Sequence, residues 1–147
     1  MINSIRNYFF KEKPTQNSSD PILQLDTLDK RRFEHNDQFS AEYDRRVHKK
    51  YYLKNILVCN IEYGLHSGNI GHINVEKPYQ RRKLGQQMLS MAIQDIKNMM
   101  YATDIYAFTS NGHPFWTGVF GGKFKFDEKR SHNGYQTNLV VCYSMNL

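Results

Sequence analysis

The sequence predicts an α/β fold, with short strands set around one long helix. Two patterns predict it. Leu84, Met88, Leu89, Ala92, Ile93, Ile96 and Met99 recur at helical spacing, and Gln86, Gln87, Ser90, Gln94, Lys97 and Asn98 fall largely opposite them. On both sides of that stretch lie short runs rich in β-branched and aromatic residues, separated by Gly, Asn and Pro. A length of 147 residues suits one domain with its own core. Aromatic content of 14% supports a globular chain, while a mean hydropathy of −0.70 leaves much polar surface or loop.

The elements follow in order. Residues 1–20 end in a polar run of turn formers, Lys13-Pro-Thr-Gln-Asn-Ser-Ser-Asp20, which predicts a loosely held start. Residues 21–25 read as a first strand, and Asp26 or Thr27 offers a helix cap. Residues 28–46 are highly charged, with Phe33, Phe39 and Tyr43 as sparse apolar points, and predict one or two thin helices. The charge signs nearly balance there, as on a solvated face.

Strands are expected at 47–53 and 56–63, joined by a tight turn at Lys54-Asn55, and at 69–75 after a turn over 64–68. The amphipathic helix runs to about Met100 and is followed by a strand at 103–109. Residues 110–114 break the pattern, and Pro114 suits the first turn of a short helix over 115–120. Gly121-Gly122 ends that helix. Residues 123–126 alternate as a half-buried strand would, 127–134 form a polar connection, and 138–145 close the chain as a strand.

Charge narrows the partners. A net charge of +6 suits an anionic partner, such as a phosphorylated cofactor, nucleic acid, an acidic protein or a membrane surface. Cys59 and Cys142 sit inside apolar runs without metal or redox spacing, and read as reduced core residues. There is no signal peptide and no long apolar run, so the expected location is the cytoplasm, without a membrane role.

The stretch 75–88, Val-Glu-Lys-Pro-Tyr-Gln-Arg-Arg-Lys-Leu-Gly-Gln-Gln-Met, carries the chemistry. Arg81, Arg82 and Lys83 fall in the turn that opens the long helix. There, free backbone N–H groups and the positive end of the helix dipole favour an anion. Strand, basic turn, glycine and helix together read as a phosphate cradle.

This stretch resembles the pyrophosphate-binding motif of the GNAT superfamily of N-acyltransferases: Gln or Arg, two free positions, Gly, a free position, then Gly or Ala. Gln80, Leu84 and Gly85 match, and Lys83 stands where the family usually has its first glycine. The predicted order after residue 46 matches the family as well. Ser110-Asn111 resembles the asparagine after its fifth strand, and residues 115–124 resemble its short helix.

The resemblance implies a mixed, mostly antiparallel twisted sheet flanked by helices, with a splayed central pair of strands at 69–75 and 103–109. It implies that the pantetheine arm of acetyl-CoA lies in the gap and pairs with the backbone of Ile73, Asn74 and Val75. It further implies that Gln80, Arg81, Arg82, Lys83, Leu84, Gly85 and Gln86 take the pyrophosphate, with Asn111 beside the cofactor and no metal. The expected activity is transfer of an acetyl group from acetyl-CoA to an amine by direct attack in a ternary complex.

The residues depart from the family at its acid and base. The usual strand glutamate falls on Asn69, leaving His72 and Glu76 as candidate bases. The usual helix tyrosine falls on Thr117 or Trp116, leaving Tyr106, Tyr135 and Tyr143 as candidate donors. His113 reads as a loop residue that caps the short helix or faces substrate. Two other classes stay open: a GNAT-shaped protein that binds CoA or a partner without catalysis, and a basic nucleic-acid module supported by charge and ten tyrosines. The acceptor, whether small molecule, protein or RNA-attached amine, is not readable, nor is the oligomeric state, a homodimer included.

Overall fold

Tight turns between apolar runs organise the first sheet. Lys54 and Asn55 both take positive φ, 50° and 65°, as a two-residue hairpin turn demands. They join β2 (Asp44–Leu53) to β3 (Ile56–Gly64). β1 (Asp29–Asp37) pairs on the outer side of β2, and β4 (Ile70–Val75) pairs with β3, all antiparallel, in the order β1-β2-β3-β4. The computed structural model describes residues 21–38, 43–110, 114–133 and 139–147.

The chain leaves β4 through a short 3-10 turn at Lys77–Tyr79 and enters α1 (Leu84–Met99). It then returns as β5 (Asp104–Ser110). After α2 (Pro114–Gly118) come β6 (Lys125–Phe126), β7 (His132–Asn133) and β8 (Leu139–Asn146). β5, β6 and β7 each pair antiparallel with β8 to form the second sheet.

α1 buries Leu84, Met88, Leu89, Ala92 and Ile96 against β3 and β4. These side chains join one cluster with Val58, Ile61, Tyr63, Ile73, Val75, Ile105 and Phe115. Each large apolar side chain so covered contributes roughly 1.5–3 kcal/mol. The amphipathic period read from the sequence is thus the period of this interface.

Among the described residues the two sheets meet at one parallel bridge, Asn69 with Tyr106, in which the Tyr106 N–H donates to the Gly68 carbonyl at 3.0 Å. Beyond it, among the described residues, β4 and β5 belong to different sheets. The expected splayed pair is therefore present.

Two expected elements differ. Residues 21–25 hold no strand, and a 3-10 turn spans Leu25–Thr27. The charged stretch 28–46 forms no helix among its described residues, but supplies β1 and the start of β2. β1 is an edge strand with nearly every side chain exposed, so it lacks the buried face whose alternation would have marked it. The end of the chain departs in detail. Phe124 is 2% exposed but Phe126 is 56% exposed, and the polar connection contains β7. The expected loose start, residues 1–20, lies outside the described residues.

Candidate functional site

The closed end of the gap between the sheets is built by close approach. Gly68 has φ +78°, and a Cβ there would lie 2.1 Å from the Asp104 backbone oxygen. Only glycine lets β5 come this near. Behind it stands a buried polar network. Arg46 donates through Nη1 to Asp44 Oδ2 at 2.9 Å and through Nη2 to Asn69 Oδ1 at 3.0 Å. Asp44 Oδ1 accepts the backbone N–H groups of His66 and Ser67, each at 3.1 Å, and Ser67 Oγ donates to Asp44 Oδ2 at 2.7 Å. Burial alone would raise the Asp44 carboxyl, but bonds from Ser67, Arg46 and the two amides outweigh it and hold it below the usual carboxylate range. Asn69, which stands where the family often has glutamate, is a strut in this network.

From the closed end the gap opens along β4. On one side Ile73, Asn74 and Val75 pair with Ile61, Asn60 and Cys59 of β3. On the other side β4 has no strand partner beyond Asn69 among the described residues. Asn74 is 1% exposed, and its Oδ1 has no hydrogen-bond partner among the described residues.

The basic turn lies at the far end of β4. Gln80 is buried, and its Nε2 donates to the Val75 carbonyl at 3.2 Å, tying the turn to the strand end. Arg81 and Lys83 both take left-handed backbone, with φ of 67° and 64°. Lys83 caps α1 without a side-chain bond, and its side chain is exposed. The helical ladder begins with the Gln87 N–H donating to the Lys83 carbonyl at 3.1 Å. The N–H groups of Leu84, Gly85 and Gln86 are thereby left without helical acceptors. Arg81 and Arg82 are half-buried, and Arg82 Nε is buried with no partner among the described residues. Free amides, two left-handed bends and an orphaned guanidinium nitrogen together suit an anion. The Lys83 position carries the backbone shape that glycine would take freely.

The candidate bases lie on or just past β4. His72 is half-buried, faces Glu62 across the β3–β4 pair, and its ring centroid is 6.5 Å from that of His48. Burial lowers its pKa below the ordinary imidazole value, against the upward pull of Glu62 and Glu76. His72 is therefore neutral near pH 7. Glu76 Oε2 accepts from Asn74 Nδ2 at 2.6 Å, so this carboxylate is held at the mouth of the open edge.

The candidate donors separate. Thr117 Oγ1 donates back to the Pro114 carbonyl at 2.9 Å on an exposed turn. Trp116 is buried edge-on between Phe115 and Phe124, with ring centroids 4.8 and 5.1 Å away. Tyr106 sits at the closed end, with the Arg130 guanidinium 3.9 Å over its ring. Burial raises its pKa, so it keeps its proton at neutral pH. Tyr143 lies in β8 beside Phe126. Asn111, His113 and Tyr135 lie outside the described residues.

Both cysteines are buried thiols, pushed up to about 12 for Cys59 and about 11 for Cys142, chiefly by burial. Neither has the thiolate character of a nucleophile. Among the described residues, no group of three or more His, Cys, Asp or Glu is placed to hold a metal ion, and no helix is long and apolar enough to cross a membrane. The reading of the sequence missed Gly68 and the Asp44–Arg46–Ser67 network. Their signal is a close approach between distant segments, which no local pattern carries.

No protein-family model and no curated relative matches the sequence. Solved structures do match in shape. A PaiA N-acetyltransferase from Thermoplasma acidophilum, solved with coenzyme A, superposes with a TM-score of 0.52 at 10% identity, covering 69% of this chain and 61% of its own. A Bacillus anthracis protein assigned as a streptothricin acetyltransferase, solved with acetyl coenzyme A, gives 0.57 at 14% identity, covering 89% and 92%. An acetyltransferase of the GNAT family from Streptococcus pneumoniae gives 0.54 at 12% identity, covering 69% and 66%. The chain thus spans less than two thirds of the Thermoplasma protein but nearly all of the Bacillus one. At such identities the likeness is one of fold, and the fold of this chain is the GNAT acetyltransferase fold.

Proposed function

We propose that this protein is an acyltransferase that moves an acetyl group from acetyl-CoA to an amine by direct attack in a ternary complex. The observation that carries it is the gap between β4 and β5, closed at Asn69–Tyr106, with the basic cradle at the far end of β4. A pantetheine arm with two amides suits a strand edge without a partner, and a pyrophosphate suits free helix-start amides beside Arg81 and Arg82. Acetyltransferases of the same fold, solved with coenzyme A or acetyl coenzyme A, support the reading.

The cofactor would lie along Ile73, Asn74 and Val75, with its phosphates at Gln80, Arg81, Arg82, Lys83, Leu84, Gly85 and Gln86. In the transfer, the amine nitrogen bonds to the acetyl carbonyl carbon, and the carbon–sulfur bond breaks. The amine proton passes to the neutral His72 imidazole, with Glu76 the alternative acceptor. CoA leaves as a thiolate and takes a proton from Tyr106 or from water. The acceptor is an amine on a small molecule, a protein or an RNA.

A second reading has its own support. Asn69 is held by Arg46, and Thr117 and Trp116 offer no proton to a leaving thiolate, so the fold could hold CoA without turnover. Thiol release from acetyl-CoA, followed over a broad panel of amines, separates the two. Amine-dependent release supports transfer. Tight CoA binding without release on any amine supports the binding-only reading.

A further inference from the structure

The cradle is held in place by a segment far from it in sequence. Residues 21–28 cross the first turns of α1 with Leu25 and Leu28 in the core. One side chain of α1 makes two hydrogen bonds to the strap backbone. Gln87 Oε1 accepts the Leu25 N–H at 2.8 Å, and Gln87 Nε2 donates to the Leu23 carbonyl at 2.7 Å. The Leu23 N–H in turn donates to the Arg82 carbonyl at 3.3 Å.

A continuous path of hydrogen bonds therefore runs from the first turn of α1 through the strap into the middle of the cradle. It ends between the two left-handed residues, Arg81 and Lys83. A non-glycine residue in that conformation reverts easily to right-handed or extended backbone. Such a loop keeps its amides convergent only while something outside it holds them.

Resting on the cofactor reading above, we propose that Gln87 is a positioning residue for the pyrophosphate. It does not touch the ligand, but clamps the strap that fixes the Arg82 carbonyl and so keeps the cradle in its anion-ready shape. The coupling is reciprocal: phosphate binding at the cradle must tighten the strap by the same free energy with which the strap tightens binding.

Two measurements test this. In Gln87→Met the side-chain volume and helix propensity are kept, while both bonds to the strap are lost. CoA affinity should fall by about fivefold or more, the scale of one lost hydrogen bond. Affinity for acetyl-pantetheine, which has no pyrophosphate, should be unchanged. A purely structural role would lower the melting temperature and leave the CoA-to-pantetheine ratio at its wild-type value, which would overturn the proposal. In the wild-type protein, hydrogen exchange of the Leu23 and Leu25 amides should slow when CoA binds, and unchanged exchange with CoA bound would also overturn it. If the wild-type protein binds no CoA, the cofactor reading itself fails, and that result is distinct from a Gln87→Met variant that binds as well as wild type.

Discussion

Lys83→Gly tests the cradle at the position where its sequence departs from the family. Lys83 has φ 64° and ψ 16°, the left-handed region. A non-glycine residue there gives up about 1–2 kcal/mol relative to right-handed backbone. Glycine removes that strain but adds about 0.5–1 kcal/mol of unfolded-state entropy. The Lys83 carbonyl accepts the first ladder bond, which glycine keeps, and the exposed lysine side chain makes no cap bond, so no other loss is expected. The balance is a gain of about 0–1.5 kcal/mol, or a rise of about 0–6 °C in melting temperature for a chain of this size. CoA affinity should hold or improve, because the amides close on the pyrophosphate with less strain. Thermal melts read the first quantity, and titration calorimetry with CoA reads the second. A fall in melting temperature refutes the strain argument. A loss of CoA affinity beyond about tenfold refutes the backbone account and makes the lysine ammonium itself the phosphate ligand.

Other residues carry sharp expectations. His72→Gln should lower turnover by roughly two to four powers of ten with CoA affinity little changed, and full activity would move the role to Glu76 or to water. Because burial lowers the His72 pKa, the acid limb of kcat/KM should have its midpoint below the ordinary imidazole value of 6.5: activity is lost as pH falls through that lowered pKa and is full above it. A midpoint above 6.5 would contradict this. Gly68→Ala should destabilise by about 2–4 kcal/mol in urea melts, through a clash with the Asp104 backbone oxygen and positive φ, and a near-neutral result would show that the closed end is not tightly held. Asp95→Ala should cost about 2–4 kcal/mol, because it strands the buried Lys49 ammonium whose Nζ lies 2.7 Å from Asp95 Oδ2. Lys49→Met should cost less by the same melts, because the Asp95 carboxylate it leaves is part-exposed and keeps the Tyr63 hydroxyl and the Arg32 guanidinium.

Much of the fold was legible because its cues are local. α1 announces itself by period, since its buried side is a continuous stripe from Leu84 to Ile96. The turn at Lys54-Asn55 and the strands β3, β4, β5 and β8 follow from short range as well. β1 was not legible, because both faces of Asp29–Asp37 are mostly exposed and its charged residues alternate with nothing. Its strand state comes from pairing with β2, a tertiary cause that local propensity does not carry.

The basic turn at the helix start was legible for the same local reason, as strand end, turn and helix start are contiguous. The closed end was not. Arg46 and Asn69 meet across 23 residues, and Gly68 is demanded by an oxygen of Asp104 on the returning strand. The clamp from Gln87 spans 64 residues to Leu23, and in sequence Gln87 reads only as a polar position opposite the helix stripe.

Saturating acetyl-CoA tests the central claim most directly. A ligand that binds only the folded state at one hundred times its dissociation constant stabilises it by about 2.7 kcal/mol. For a chain near this size that should raise the melting temperature by about 5 °C or more. Replacing both Arg81 and Arg82 with Ala should shrink the shift, and acetyl-pantetheine should give less than acetyl-CoA. An acetyl-CoA shift that is absent at every concentration would contradict the account, and the basic turn would then be surface charge on a fold that holds no cofactor.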